Sequence, residues 1–212
     1  VFGGSVAQWF ALQGTAAAKY AMDQGMTSLA IINVNNDFGV NMLAEFRRAY
    51  EALGGKVLST TPYNPQQPSY AAEVTNALKG DPPALYFIGY PGDGTTIVRT
   101  WIQQGGPQRF LLNDGMNAAD FIKGVGPQFL NNAFGTSSGT TKTASTEFFA
   151  QAYPAMSGGF DAGAPAADRA FDAGVILGLA IAHAGKFEAA AIRDSIRKVT
   201  EPGGEVVYAG PQ

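Results

Sequence analysis

Short apolar runs alternate with amphipathic segments over roughly the first two thirds of the chain. The runs predict buried strands at residues 28–34, 56–61, 84–88, 109–112 and 132–135. Between them, apolar residues recur at three- and four-residue spacing, which predicts helices at residues 7–23, 36–53, 69–79, 92–104 and 117–123. Strand–helix units this short require right-handed crossovers, so the pattern predicts an α/β fold, a three-layer open parallel sheet with helices on both faces.

Helix boundaries are marked by glycine and by short polar side chains. Asn35, Asn36 and Asp37 together predict the start of the second helix. In the same way Asn117 is predicted to cap the fifth helix, and Asp93 to cap a helix that starts near residue 94.

After residue 136 the pattern changes. A Gly/Ser/Thr-rich segment at 137–143 precedes three helical patterns, at 144–156, 166–184 and 188–199, and no strand pattern follows until Val206. Three helices without a sheet bury too little apolar surface to form a stable domain. We therefore interpret residues 1–135 as a complete α/β lobe and 136–204 as the helical part of an incomplete one. Its exposed apolar faces would favour self-association.

Composition narrows the classes of function. The chain has 212 residues, 14 Lys and Arg against 17 Asp and Glu, and no basic run, which argues against nucleic acid or an anionic membrane as partner. The sequence contains no cysteine, so thiol catalysis, zinc–thiolate sites and disulfides are excluded. The most apolar run, 173–184, is too short to span a bilayer. No metal-ligand spacing is present, and we expect neither a metal nor a cofactor.

The sequence contains one possible enzyme motif. Residues 135–139 fit G-x-S-x-G, with Ser137 as nucleophile and His183, the only histidine, later in the chain. That motif needs a strand before the serine and a helix directly after it, whereas Ser137 lies in a linker. A serine hydrolase is therefore the weaker hypothesis, and a protein without catalytic activity the stronger one.

Five segments together resemble a known family. They contain Gln13-Gly14, Asn35-Asn36-Asp37-Phe38-Gly39, Tyr90-Pro91-Gly92-Asp93, Leu112-Asn113-Asp114-Gly115 and the residues 202–207. In order and spacing they resemble the periplasmic branched-chain amino-acid-binding proteins, the solute-binding proteins of ABC importers. The likeness covers nearly all of the chain.

The resemblance implies a type I periplasmic-binding fold, in which the chain crosses three times between two hinged lobes. Residues 1–135 would be the second lobe, 136–204 helices of the first lobe, and 205–212 the start of the third crossing. The chain would then be a fragment that lacks the N-terminal part of the first lobe and the C-terminal tail. A periplasmic or extracytoplasmic location, an amino-acid ligand and a membrane ABC permease as partner are implied too. A sensor module of the same fold is the alternative.

Ligands of open α/β sheets bind beyond the carboxyl ends of the strands. Phe38, Tyr90 and Asp114 follow three predicted strands and match the family's contacts in this lobe. Asp114 would bind a ligand ammonium group and Tyr90 would offer a hydroxyl and a ring. Phe38 offers only a ring, where the family commonly has tyrosine.

Structural explanations exist for the same residues. Phe38 could be a hydrophobic staple, Tyr90 a loop tyrosine and Asp114 a turn residue. Asp93 and Met116 are weaker candidates: Asp93 fits a helix cap better, and Met116 would line the mouth of the pocket.

Overall fold

The chain divides into two compact units, Val1–Ser138 and Gly139–Gln212. The computed structural model describes residues 3–137, 139, 142–164 and 166–204, and the side chains among them from Ala11 onward. The residues predicted to begin a third crossing, 205–212, lie outside the described residues.

The first unit is built on a five-stranded parallel sheet, as the alternation of apolar runs predicts. Its strands are β1 (Ser28–Val34), β2 (Lys56–Tyr63), β3 (Leu85–Ile88), β4 (Phe110–Leu112) and β5 (Ala133–Gly135). The strand order is β2-β1-β3-β4-β5, and every neighbouring pair is parallel. The carboxyl ends of β1, β3 and β4 therefore lie side by side.

Helices cover both faces of this sheet. They are α1 (Gly3–Asp23), α2 (Asp37–Ala52), α3 (Ala71–Ala77), α4 (Pro91–Gln103) and α5 (Ala119–Val125). Along β1, Ile31 packs with α1 and α2, whereas Ile32 packs with α3, α4 and α5. Strand residues point alternately to the two faces, so two apolar layers form and the predicted three-layer fold is confirmed.

The start of α2 is fixed by a cap and by a close contact. The side chain of Asn36 accepts a hydrogen bond from the Gly39 backbone N–H at 3.0 Å, as an N-cap residue does. A Cβ atom on residue 39 would lie 2.0 Å from the Val34 carbonyl oxygen. Only glycine lets the helix begin this close to the end of β1.

The two other predicted caps are wrong. Helix α5 follows Ala118, and the backbone N–H of Asn117 instead closes the preceding 3-10 turn, Asp114–Met116, by bonding to the Asp114 carbonyl. Helix α4 begins at Pro91, so Asp93 lies inside its first turn. Proline is favoured at a first helical position because its missing N–H has no partner there in any case.

The second unit contains α6 (Ala144–Met156), α7 (Ala167–Ala184) and α8 (Ala189–Thr200), close to the predicted bounds. Thr143 and Thr146 form a reciprocal capping box at the start of α6. Within the described part of this unit, only Phe149 and Ala180 are buried apolar residues. Met156, Phe160 and Phe187 are at least 70% exposed.

The described residues were searched for membrane-spanning helices and for groups of metal ligands. No single helix among them is long and apolar enough to cross a membrane; α7 and α8 reach that limit only when taken together, and they are bent by 111°. Within the same residues, no three acidic or histidine side chains come together as metal ligands.

Candidate functional site

The three main candidate residues follow three adjacent strands. Phe38, Tyr90 and Asp114 come after β1, β3 and β4, and β3 lies between the other two strands. Their common position at the carboxyl edge of the sheet is where open α/β folds bind ligands.

Phe38 and Tyr90 form a stacked pair, which we call the aromatic platform. Their ring centroids are 5.6 Å apart and their planes differ by 30°. Phe38 is half-buried and packs against both apolar layers, while Tyr90 is 44% exposed. The platform is thus anchored through Phe38 and presents Tyr90 outward.

Asn36 orients the hydroxyl group of Tyr90. While its side-chain oxygen caps α2, its amide nitrogen donates to the Tyr90 Oη atom at 3.3 Å. Because this bond uses the hydroxyl oxygen as an acceptor, the hydroxyl hydrogen is left to donate to another group. Asn36 was predicted only as a cap, since its second contact depends on β1 lying next to β3.

Asn113 joins the strand ends beneath the site, and sequence reasoning missed it. Its side chain accepts from the Gly89 N–H at 2.9 Å and donates to the Gly89 carbonyl at 3.2 Å. A third contact, at 3.3 Å, runs from its amide to the Asp114 carboxylate. Asn113, which directly precedes Asp114, is therefore bonded to Gly89, which directly precedes Tyr90. These bonds fix the positions of Tyr90 and Asp114 relative to each other.

Asp114 begins a 3-10 turn and lines a cavity of about 420 Å³. The cavity lies at the β5 edge of the sheet, between the ends of β4 and β5, helix α5 and the turn Pro127–Phe129. Met116 also lines it, but is only 2% exposed and belongs to the apolar layer. Asp114 is the one charged side chain among the described residues that line this cavity.

The carboxylate of Asp93 forms hydrogen bonds to the loop between β2 and α3. It accepts from the Tyr70 hydroxyl at 2.6 Å and from the Gln66 N–H at 3.1 Å. Gln66 has a φ of 60°, in the left-handed region that a non-glycine residue adopts at a cost. Asp93 thus stabilises the loop between β2 and α3, beside the aromatic platform, and does not cap α4.

Buried tyrosines behind the site are held neutral. Burial raises the pKa of Tyr86 and of Tyr63 well above the usual value for a phenol. Burial raises the pKa of Tyr70 as well, and its hydrogen bond to Asp93 adds to that shift. These hydroxyls therefore stay uncharged into the alkaline range, above the pH at which an exposed phenol ionises.

The structure does not build the context of a serine hydrolase around Ser137. Among the described residues, no helix begins between β5 and Ala144, so the strand–turn–helix of a nucleophile elbow is not formed. His183 belongs to the second unit, where its Nδ1 atom lies 3.1 Å from Ser195 Oγ.

Comparison with protein families assigns this chain to one family. The model of the periplasmic binding protein family matches residues 4–210, and the chain belongs to that family. The family is one of ligand-binding proteins. A search of curated proteins gives no match.

Solved structures agree with this assignment. The chain is similar to the leucine-binding protein LivK of Thermotoga maritima, with 26% identity and a TM-score of 0.71, covering 89% of this chain and 54% of that one. It is also similar to LivJ from Streptococcus pneumoniae in complex with isoleucine, with 21% identity and a TM-score of 0.68, covering 88% of this chain and 53% of that one. A third similar structure is a type 1 periplasmic binding protein of Bordetella pertussis, with 22% identity and a TM-score of 0.74, covering 91% of this chain and 55% of that one. This chain thus spans about half the length of these proteins.

Proposed function

We propose that this chain is the ligand-binding part of an extracytoplasmic solute-binding protein that carries an amino acid or a related solute to a membrane ABC permease. The observation that carries the proposal is the row of Phe38, Tyr90 and Asp114 along three adjacent strand ends. Family membership and the likeness to leucine- and isoleucine-binding proteins support the same assignment.

Each group has a distinct task in this proposal. Asp114 pairs with the ligand ammonium group, because a carboxylate forms a charge-assisted hydrogen bond with it. Tyr90 donates its free hydroxyl hydrogen to an acceptor on the ligand, in the orientation set by Asn36. The aromatic platform supplies an apolar wall. Donors for the ligand carboxylate would come from a second lobe that closes by hinge motion, and the cycle is binding and release without a chemical step.

Isothermal calorimetry on the full-length natural protein tests the assignment of Asp114. In a panel of amino acids, Asp114→Asn should weaken binding of the preferred ligand about 10- to 100-fold, since a hydrogen bond to a charged group contributes about 1.5–3 kcal/mol. Asp120→Asn is the matched control, because Asp120 is an exposed residue in the first turn of α5. Equal affinities for the Asp114 variant and the natural protein would remove Asp114 from the site.

Transport is tested separately by uptake of the bound solute into cells. Deleting the gene should abolish high-affinity uptake, and restoring it should recover uptake. If uptake persists although the purified protein binds the solute, a sensor module of the same fold is the better assignment.

A further inference from the structure

The cavity beside Asp114 has two chemically different sides. Leu112, Met116 and Phe121 line it with apolar atoms and are at most 8% exposed, so this side is part of the rigid core. Asp114, Asn117 and Thr136 line it with polar groups. We call this space the β5-edge cavity. Neither residue of the aromatic platform lines it, so Asp114 is the only one of the three main candidates that does.

Two polar atoms near residue 136 lack a hydrogen-bond partner among the described residues. One is the buried hydroxyl oxygen of Thr136, in the cavity wall, and the other is the side-chain oxygen of Gln13. Gln13 is only 8% exposed, and its amide donates to the Thr136 carbonyl at 3.5 Å. A buried polar atom without a partner costs about 1–3 kcal/mol, and the Thr136 hydroxyl is covered by its surroundings and is not presented to a ligand.

The size of the cavity indicates the size of the group that fills it. At about 420 Å³ it falls in the range of roughly 300–1,000 Å³ that is typical of small-molecule sites. A short aliphatic side chain would leave much of this space empty, and unfilled space forfeits dispersion contacts. An aromatic ring fits the apolar side, with Met116 and Phe121 as its contacts.

The charge of the cavity indicates the head group. Asp114 is an anion, and none of the described lining residues is a cation that could neutralise it. A ligand carboxylate brought to the same place would be repelled, whereas an ammonium group would be attracted.

We propose that the β5-edge cavity binds the aromatic body of an amphipathic ammonium compound whose head group pairs with Asp114. This rests on the proposed function in one respect, because Asp114 is the ammonium partner in both. It goes further by naming the ligand class: an aromatic amine or amino acid, in preference to a small aliphatic one.

Nuclear magnetic resonance of methyl-labelled methionine tests the proposal on the 212-residue chain. The probe is 2-phenylethylamine, and the matched control is 3-phenylpropionate, which has the same ring and spacer but the opposite charge. The amine should shift the Met116 methyl signal, assigned with Met116→Leu, in a saturable way, and its dissociation constant should be at least tenfold lower than that of the anion.

Variants test the contribution of charge. Asp114→Asn should weaken amine binding about tenfold, while Asp120→Asn leaves it unchanged. Absence of a saturable Met116 shift, or equal shifts by amine and anion, would overturn the proposal.

The result is distinguishable from failure of the proposed function. Calorimetry of the full-length protein with Tyr90→Ala reports on the aromatic platform, which does not line the cavity. If the full-length protein binds no amino acid while the amine still shifts Met116, the cavity stands as a site and the proposed function fails. If amino-acid binding depends on Tyr90 and Asp114 but the amine never shifts Met116, the reverse holds.

Discussion

The two units of the chain differ in what their apolar side chains contact. In the first unit a parallel sheet lies between two helical layers, and Trp101, Phe87 and Tyr86 are completely buried. In the second unit three helices leave Leu177 and Leu179 at least 40% exposed on α7. Both units have well-formed helices, so the difference lies in packing partners and not in secondary structure.

This difference shows that sequences with a helical hydrophobic pattern form helices whether or not they pack against a sheet. An apolar stripe is normally stabilised by burial against another layer, which contributes about 25 cal/mol per Å². The first unit gains that contribution on both faces of its sheet, and the described part of the second unit does not. We therefore expect equivalent substitutions to have unequal effects in the two units.

The largest expected difference comes from truncating one apolar side chain in each unit. Phe87→Ala should lower the free energy of unfolding of the first unit by about 3–5 kcal/mol, because it leaves a cavity among completely buried residues. Leu177→Ala should change the second unit by less than about 0.5 kcal/mol, since Leu177 is 46% exposed.

The two units can be followed separately in one urea titration. Both tryptophans, Trp9 and Trp101, lie in the first unit, and Trp101 is completely buried there, so tryptophan fluorescence reports the unfolding of that unit. His183 is the only histidine, and its proton signals report the second unit. A large loss of stability from Leu177→Ala would show that the Leu177 side chain is buried in solution and not half exposed.

Glycine at the start of a helix gives the next prediction. Gly39→Ala should destabilise the first unit by about 1–3 kcal/mol, because the new Cβ atom would lie 2.0 Å from a backbone oxygen that cannot move away freely. Gly92→Ala, in the first turn of α4, is the control. Nothing lies within 4 Å of that Cβ position, so its effect should be small. Equal melting temperatures for the two variants would contradict the close contact at Gly39.

The first unit should also lose stability at alkaline pH. Burial raises the pKa of Tyr50 from 10.0 to about 12, and its hydroxyl donates to the Met26 carbonyl at 2.5 Å. Between those two pH values the phenol ionises in the unfolded chain but not in the folded one. Unfolding then releases a proton and becomes easier as pH rises, by about 1.4 kcal/mol per pH unit for this one group. Below pH 10 its contribution is fully present.

Tyr50→Phe should remove that part of the pH dependence in tryptophan-monitored urea titrations at pH 9, 10 and 11. Ile97→Val is the control, because it weakens the apolar layer on the other face of the sheet, which does not contain Tyr50, and removes no ionisable group. It should lower stability equally at each pH. An unchanged alkaline slope in Tyr50→Phe would mean that other buried tyrosines account for it.

Sequence patterns predict elements well here, and contacts between elements poorly. The strand at residues 28–34 and the helix at 144–156 have the predicted bounds, because each depends on local hydrophobic spacing. The three strand-end positions of the site follow from the same pattern combined with the family resemblance.

The missed features all depend on how strands and helices are arranged in space. Asn113 bonds to Gly89 across the β3–β4 pair, and Asn36 reaches Tyr90 because β1 lies beside β3. Asp93 was predicted as a helix cap, but its partner, Tyr70, is 23 residues away along the chain. No local pattern encodes strand order, so side chains that connect strands are invisible until the sheet is known.

The smallest expected effect concerns glycine inside helices, and it has opposite signs in the two units. Gly14→Ala in α1 should destabilise the first unit, because its Cβ would lie 2.8 Å from the Phe46 backbone nitrogen. Gly178→Ala in α7 should stabilise the second unit by up to about 1 kcal/mol, since its Cβ meets nothing within 4 Å and alanine favours the helix.

The Gly178 variant also shows whether that face is covered in a longer protein. This chain covers only about half of the related proteins of known structure, and the same substitution can be made in the full-length natural protein. Thermal unfolding there should show the same small gain if the face around Gly178 stays open. A loss of several degrees would instead mean that residues outside this chain pack closely against the glycine. The contrast between the two units would then belong to the isolated chain alone.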